Sequence, residues 1–177
     1  MTKSVKKPSN NKWFHENTKW FLYNLTVAFS IYWAGNLILW FPWSINANLG
    51  IGLMLTIMPL LWGIGIYNCL TRYKGQKLLK GVIINSIIIL VFAVVADYIF
   101  FGLIRGAMDD LYQLTTFYGY GFLVTLPFIV WLLLFRKSIK KESQIKTKDF
   151  ILIGMLGTIC LLALIVIIKY DIKISFG

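Results

Sequence analysis

The chain has 177 residues, of which 58% are hydrophobic and only 14% are charged, and its formal net charge is +11. Soluble domains carry about 25% charged residues, so this composition excludes an ordinary soluble protein. In a soluble chain the positive charge would favour a nucleic-acid partner, but in a membrane protein it has a simpler cause, because cytoplasmic loops collect Lys and Arg. We therefore expect an integral membrane protein of one domain that contacts membrane lipids and binds no nucleic acid.

Side chains that bind metals or perform catalysis are scarce in this sequence. The single histidine is His15, in the polar leader, and the two cysteines, Cys69 and Cys160, fall at different depths of two predicted helices. The chain contains no HExxH motif, no GxSxG motif and no Gly-rich phosphate-binding loop. We therefore predict that the protein is not an enzyme and that it holds no metal and no cofactor.

A polar, basic leader covers residues 1–19, and a first transmembrane helix is predicted over 20–40. About 20 apolar residues are enough to cross the bilayer core, and this run is too long for the core of a signal peptide. Aromatic residues stand near both of its ends, as is typical of the membrane–water interfaces. The uncharged segment 41–50 predicts an extracytoplasmic turn.

Four further transmembrane helices are predicted after this turn, and they span in order 51–67, 81–104, 116–135 and 150–168. Pro59 and Pro127 interrupt the second and fourth helices of the chain. Proline loosens a membrane helix, and broken helices often line the cavities of transporters. The predicted fold class is an all-α, polytopic membrane bundle of about five helices, which ends in a short extracytoplasmic tail over 169–177.

Basic residues are distributed unevenly between the two sides of the predicted bundle. Segments 1–19, 67–80 and 136–149 hold 15 of the 18 basic residues, and the segments on the other side hold 3. Because basic loops stay in the cytoplasm, we predict a cytoplasmic N-terminus and an extracytoplasmic C-terminus. The abundance of Lys, Ile and Asn is typical of an AT-rich bacterium, so the expected location is a bacterial plasma membrane.

Asp97 is the one charged residue within the predicted third helix. An acid in the hydrocarbon core costs about 3 kcal/mol on insertion scales and usually faces other helices or a water-filled cavity. Helical rise places Asn36, Tyr118 and Tyr120 at a similar depth, and Tyr98 follows Asp97 directly. We predict a polar pocket of these residues in the outer half of the bundle, where Asp97 binds a proton, a cation or a small polar ligand. The alternative is an interhelical hydrogen bond with a structural role only.

Arg105 lies eight residues after Asp97, which is two helical turns further along the same face. The separation of ~12 Å along the axis could be bridged by the long side chain, by water or by a ligand, which would make Arg105 part of the pocket. Alternatively, Arg105 pairs with Asp109 at the i+4 position and ends the helix at the membrane interface. Both interpretations remain open at this point.

Gly102 and Gly106 form a small-xxx-small pattern, which allows another helix to approach closely. The approaching helix could belong to this chain, to a second copy of it or to another membrane protein. In the last case the chain would be an accessory or immunity-type subunit that works by packing against its partner. The first hypothesis assigns the function to Asp97, and the second assigns it to this glycine face.

Overall fold

The structure is a computed structural model that describes residues 10–75, 77–104, 106, 108–134 and 145–170. Five helices within these ranges are long and apolar enough to cross a membrane, and none of the residues in these ranges lies in a strand. The predicted all-α, multi-pass membrane fold is therefore confirmed.

Helices α1 to α5 span Asn10–Ile45, Ala47–Thr71, Leu78–Asp97, Leu114–Leu134 and Thr147–Lys169. Between α3 and α4 the chain forms a π-helix over Tyr98–Ile104 and a short 3-10 helix over Met108–Tyr112. The third predicted span is therefore α-helical only as far as Asp97. At this transition the backbone N–H of Tyr98 is shared between the carbonyl groups of Val94 and Val95.

The chain turns between α1 and α2 within the predicted segment 41–50, but the junction is much shorter than expected. Helix α1 continues through Pro42, and Asn46 alone separates it from α2. The Asn46 side-chain oxygen accepts hydrogen bonds from the backbone N–H groups of Asn48 and Leu49, at 2.8 and 3.4 Å. An asparagine cap satisfies N–H groups that have no partner within the helix, so a single residue is enough to start α2.

Helix α1 is the central helix of the bundle and packs against α2, α3 and α5. Its 36 residues extend about 54 Å, which exceeds the hydrocarbon core of about 30 Å. Its membrane span, Asn17–Leu39, has a mean hydropathy of only 1.2, the lowest of the five, yet it is the most buried. The two facts are connected, because polar side chains of a central helix contact other helices instead of lipid. Helix α5 is the opposite case, with a mean hydropathy of 3.0 and packing chiefly against α1.

Small residues bring α5 and α2 close to the central helix. A Cβ added at Gly157 of α5 would lie 2.6 Å from the Cα of Ser30, so the two backbones touch there. The Ser30 hydroxyl lies 2.6 Å from the carbonyl oxygen of Ile153, to which it donates. A Cβ at Gly65 of α2 would collide with the Ile31 side chain. Such close approach increases van der Waals contact, which associates helices in lipid.

The predicted glycine face lies in the connection between α3 and α4. A Cβ at Gly102 would lie 2.8 Å from the terminal methyl of Met108. Gly106 has a φ of +65°, and a Cβ there would meet no described atom within 4 Å. Glycine adopts this left-handed conformation without steric cost, so Gly106 allows the chain to turn between the π-helix and the 3-10 helix. A role of the two glycines in binding a partner stays a prediction.

Candidate functional site around Asp97

Asp97 is the last residue of α3, and tyrosines from two other helices hold its carboxylate. The Tyr120 hydroxyl of α4 donates to Oδ2 at 2.7 Å, and the Tyr32 hydroxyl of α1 donates to Oδ1. Donors of this kind stabilise the charged form of a carboxylate in a medium of low dielectric constant. The side chain of Asp97 therefore joins α1, α3 and α4 through hydrogen bonds to both of its oxygens.

A cavity of about 500 Å³ lies directly beside Asp97. It is bordered by residues 32–39 of α1, 54–62 of α2, 93–97 of α3 and 115–123 of α4, so four helices contribute to its wall. The polar part of the wall includes the side chains of Tyr32, Asn36, Asp97, Thr115, Thr116 and Tyr120. The apolar part includes those of Leu39, Met54, Met58, Trp62, Phe101 and Phe122. The cavity thus combines one carboxylate with a largely hydrocarbon and aromatic lining.

An aromatic cluster supports the Tyr32 side of the cavity. The Tyr32 ring packs against Phe92 and Trp33, with ring centroids 5.8 and 4.9 Å apart and the planes nearly perpendicular. Trp33 contacts Phe100 in the same edge-to-face manner at 5.4 Å. Edge-to-face contacts are the favourable geometry for aromatic pairs and restrict the orientation of each ring. The cluster therefore keeps the Tyr32 hydroxyl directed at Asp97.

The chain matches no protein-family model, no curated protein and no solved structure. The functional argument therefore depends on the cavity itself and on the residues that the sequence pointed to. Among these, Tyr120 contacts Asp97 directly, and Asn36 and Tyr118 line the same cavity. The Asn36 amide donates to the backbone carbonyl of Tyr32 at 2.9 Å, while the Tyr118 ring is 67% exposed.

Of the two other predicted residues, one lies outside the cavity wall and one lies outside the described residues. Tyr98 is 51% exposed and lies outside the cavity wall, although it follows Asp97 in the chain. Successive residues of a helix point in directions about 100° apart, so neighbours in sequence rarely share a face. Arg105 lies outside the described residues, and its contact with Asp97 or with Asp109 stays a prediction.

Tyr32 is the contact residue that the sequence reasoning missed. It lies four residues before Asn36, so the two side chains share one face of α1. That spacing is the signal that could have found it, because Asn36 had already been assigned to the depth of Asp97. Aromatic residues are so frequent in this helix that no single tyrosine was distinguished by composition.

The other end of the bundle contains polar side chains that bind one another. Asn24 of α1 is 1% exposed, its amide donates to the Trp20 carbonyl at 2.8 Å, and its oxygen accepts from the Asn85 amide of α3. The Trp20 indole N–H donates to the Cys69 carbonyl of α2 at 2.8 Å. We call this group of contacts the closed end and the region around Asp97 the cavity end. A second cavity, of about 310 Å³, lies beside Trp20 and is bordered by Lys80.

Proposed function

We propose that the chain is a small membrane-embedded protein for binding or transport, in which Asp97 takes up a small polar ligand, a cation or a proton. The observation that carries the proposal is a carboxylate within a membrane-spanning segment that borders a cavity of about 500 Å³. Ionisable residues in membrane helices are costly and commonly lie along ion and substrate paths. A carboxylate that only joins helices needs no empty space beside it.

Helix α2 supports the same proposal. Pro59 lies inside α2 and lines the cavity. A proline removes one backbone hydrogen bond, and such irregular backbone is tolerated at membrane depth where it borders protein or a water-filled space.

We further propose a bacterial plasma membrane as the location, with the N-terminus in the cytoplasm. The support is the concentration of 15 of the 18 basic residues in segments 1–19, 67–80 and 136–149. In this orientation the cavity end is the extracytoplasmic end, because the α1–α2 junction and the α3–α4 connection lie there. A ligand would then enter from outside the cell.

Chemical labelling tests whether Asp97 is an accessible acid. Protein in lipid nanodiscs is treated with a hydrophobic carbodiimide, which reacts with protonated carboxyl groups, and the modified peptides are measured by mass spectrometry. We expect an adduct on Asp97 that is reduced by pre-incubation with Na⁺, with K⁺ or with a small organic cation. Asp97→Asn should remove this adduct, whereas Asp109→Asn, which changes an exposed acid in the same way, should leave it intact.

The proposal would be wrong if the Asp97 adduct formed to the same extent under every ionic condition and at every pH. A carboxyl group that stays in one protonation state and contacts only the two tyrosines would give that result, because neither pH nor an added ion would change its reactivity. The same result would favour the view that Asp97 only joins helices.

A further inference from the structure

We infer that the cavity binds a protonated amine carried on an apolar or aromatic body, with the ammonium group on Asp97. The inference rests on the proposed function and specifies the ligand class of the same site. It follows from four properties of the cavity: the free capacity of the carboxylate, the aromatic faces beside it, the shortage of metal ligands and the size of the space.

The Asp97 carboxylate retains capacity for a further donor. An ionised carboxylate has about four lone-pair sites, and the hydroxyl groups of Tyr32 and Tyr120 occupy one on each oxygen. The described wall of the cavity contains no Lys or Arg. An ammonium group has three N–H donors and a full positive charge, so it would both bind the free lone pairs and neutralise the carboxylate. A buried charge without a nearby opposite charge is costly, which makes this neutralisation favourable.

Aromatic rings line the cavity together with Asp97, and they include those of Tyr32, Trp62 and Phe101. A cation within about 6 Å of an aromatic face is attracted by the ring quadrupole, most strongly by tryptophan. Organic cations benefit from this attraction along with the salt bridge, whereas a neutral polar ligand would benefit from neither.

The same wall is poorly suited to a divalent metal ion. Ca²⁺ takes about six to eight oxygen ligands, and Mg²⁺ requires octahedral coordination. Nowhere in the described part of the chain do three His, Cys, Asp or Glu side chains come together. Beyond Asp97, much of the lining is hydrocarbon or thioether, as at Leu39, Met54 and Met58. Hard cations have little affinity for such groups.

The size of the cavity also favours an organic ligand. The volume of about 500 Å³ falls within the range of about 300–1,000 Å³ that is typical of small-molecule sites. At about 30 Å³ per water molecule, the same space would hold about 17 waters. A proton or a bare ion would leave most of this water in contact with apolar side chains. An apolar ligand body would release the water and bury the lining, which is favourable.

Three probes with a common body test the inference. Naphthylethylamine, naphthylethanol and naphthylacetate are titrated into protein in nanodiscs by calorimetry, with empty nanodiscs as the reference for partition into lipid. We expect the wild type to bind the amine at least about tenfold more tightly than the alcohol, as for hydrogen bonds to charged groups, and to show no saturable binding of the acetate. Asp97→Asn should reduce the affinity for the amine to that for the alcohol, whereas Asp109→Asn should leave the affinity for the amine unchanged.

Two glycine variants of α4, one at the cavity and one away from it, keep the test valid if Asp97→Asn does not fold. A Cβ at Gly119 or at Gly121 of α4 would meet nothing within 4 Å, but only Gly119 lines the cavity. Replacing either glycine by leucine also raises helix propensity, so both variants should fold. We expect Gly119→Leu to weaken amine binding at least about tenfold by occupying the space, and Gly121→Leu to retain wild-type affinity.

The results also separate this inference from the proposed function. Equal affinities for amine and alcohol in the wild type, or an amine preference that survives Asp97→Asn, would overturn the inference. If Na⁺ or K⁺ nevertheless protects Asp97 from the carbodiimide, the proposed function stands and only the ligand class is wrong. If no ion and no probe changes the labelling of Asp97, the inference and the proposed function both fail.

Discussion

The closed end and the cavity end of the bundle use the same type of residue in different ways. Asn24 and Asn36 both lie on α1, and each amide donates to the backbone carbonyl four residues earlier, at 2.8 and 2.9 Å. Asn24 is 1% exposed and its oxygen accepts from Asn85, whereas Asn36 is only partly buried and lines the cavity beside Asp97. Two identical side chains on one helix therefore have different surroundings.

The comparison shows that a polar residue in a membrane helix does not identify a binding site by itself. At the closed end, polar groups find partners on neighbouring helices, and each such hydrogen bond stabilises the bundle by about 0.6 kcal/mol. At the cavity end, the helices separate and leave space beside Asp97, Asn36 and Tyr120. A carboxylate that borders a cavity of about 500 Å³ distinguishes the candidate site, because the described wall of the smaller cavity at the closed end, of about 310 Å³, contains no acid.

The largest expected difference in stability is between a variant at Gly157, where α5 touches α1, and a variant at Gly119, which lines the cavity. Gly157→Leu would place a side chain against the Ser30 backbone, 2.6 Å from its Cα, and should destabilise the protein by about 3 kcal/mol or more. Gly119→Leu adds the same side chain to open space and should not lower stability. Thermal unfolding followed by intrinsic fluorescence measures both. Similar midpoints for the two variants would show that the α1–α5 contact is looser than described.

The next largest difference in stability is expected between leucine variants of Asn24 and Asn36. Asn24→Leu leaves the buried Asn85 amide without its described acceptor and should cost about 1–3 kcal/mol. Asn36→Leu should cost less than about 1 kcal/mol, because the side chain borders a cavity where water can bind the groups that lose a partner. Denaturant titration compares the variants. The distinction between the two ends would not hold if Asn36→Leu were the more damaging change.

A smaller effect on stability is expected at the glycines of the connection between α3 and α4. Gly106→Ala should cost about 1–2 kcal/mol, since a Cβ is strained at a φ of +65°. Gly102→Ala should cost less, because the atom it meets is the flexible end of the Met108 side chain. Thermal midpoints of the two variants provide the measurement. A neutral Gly106→Ala would mean that the α3–α4 connection adopts another conformation.

The smallest effect is expected at the tyrosines. Tyr120→Phe removes one hydroxyl donor to Asp97 and should cost about 0.6 kcal/mol, the typical value for a hydrogen bond between membrane helices. Tyr98→Phe is the matched control, because Tyr98 is 51% exposed and lies outside the cavity wall. Stability measured for both variants, in parallel, should show a difference only for Tyr120→Phe. Equal losses would mean that the hydroxyl of Tyr120 contributes nothing specific.

Positions along the helix axes could be predicted from the sequence. Five apolar runs of sufficient length define the spans, and counting residues from the helix ends places Asp97, Asn36 and Tyr120 at one depth. The reason is that the bilayer thickness fixes axial positions independently of how the helices pack. The same argument found the lining residue Tyr118.

Rotations about the helix axes could not be predicted. Lipid is as apolar as a helix interior, so leucine and isoleucine occur on every face and no hydrophobic stripe marks the packed side. Tyr98 was therefore assigned to the pocket although it is exposed, and Tyr32 was missed although it contacts Asp97. The close contact at Gly157 was missed for the same reason, whereas Gly102 and Gly106 fall in a π-helix and a turn.

The central position of the least hydrophobic helix has a consequence for how the protein is made. Helix α1 is synthesised before α2 to α5 and has a mean hydropathy of 1.2, whereas α3 and α5 reach 2.8 and 3.0. Asn24 and its partner Asn85 are 61 residues apart, so at about 5–20 residues per second Asn85 is synthesised about 3–12 s later. During that interval α2 can already pack against α1, but Asn24 lacks its hydrogen-bond partner on α3. Stable insertion of α1 should therefore depend on the later helices, and a ribosome-bound chain that ends before α3 should release α1 from the membrane readily.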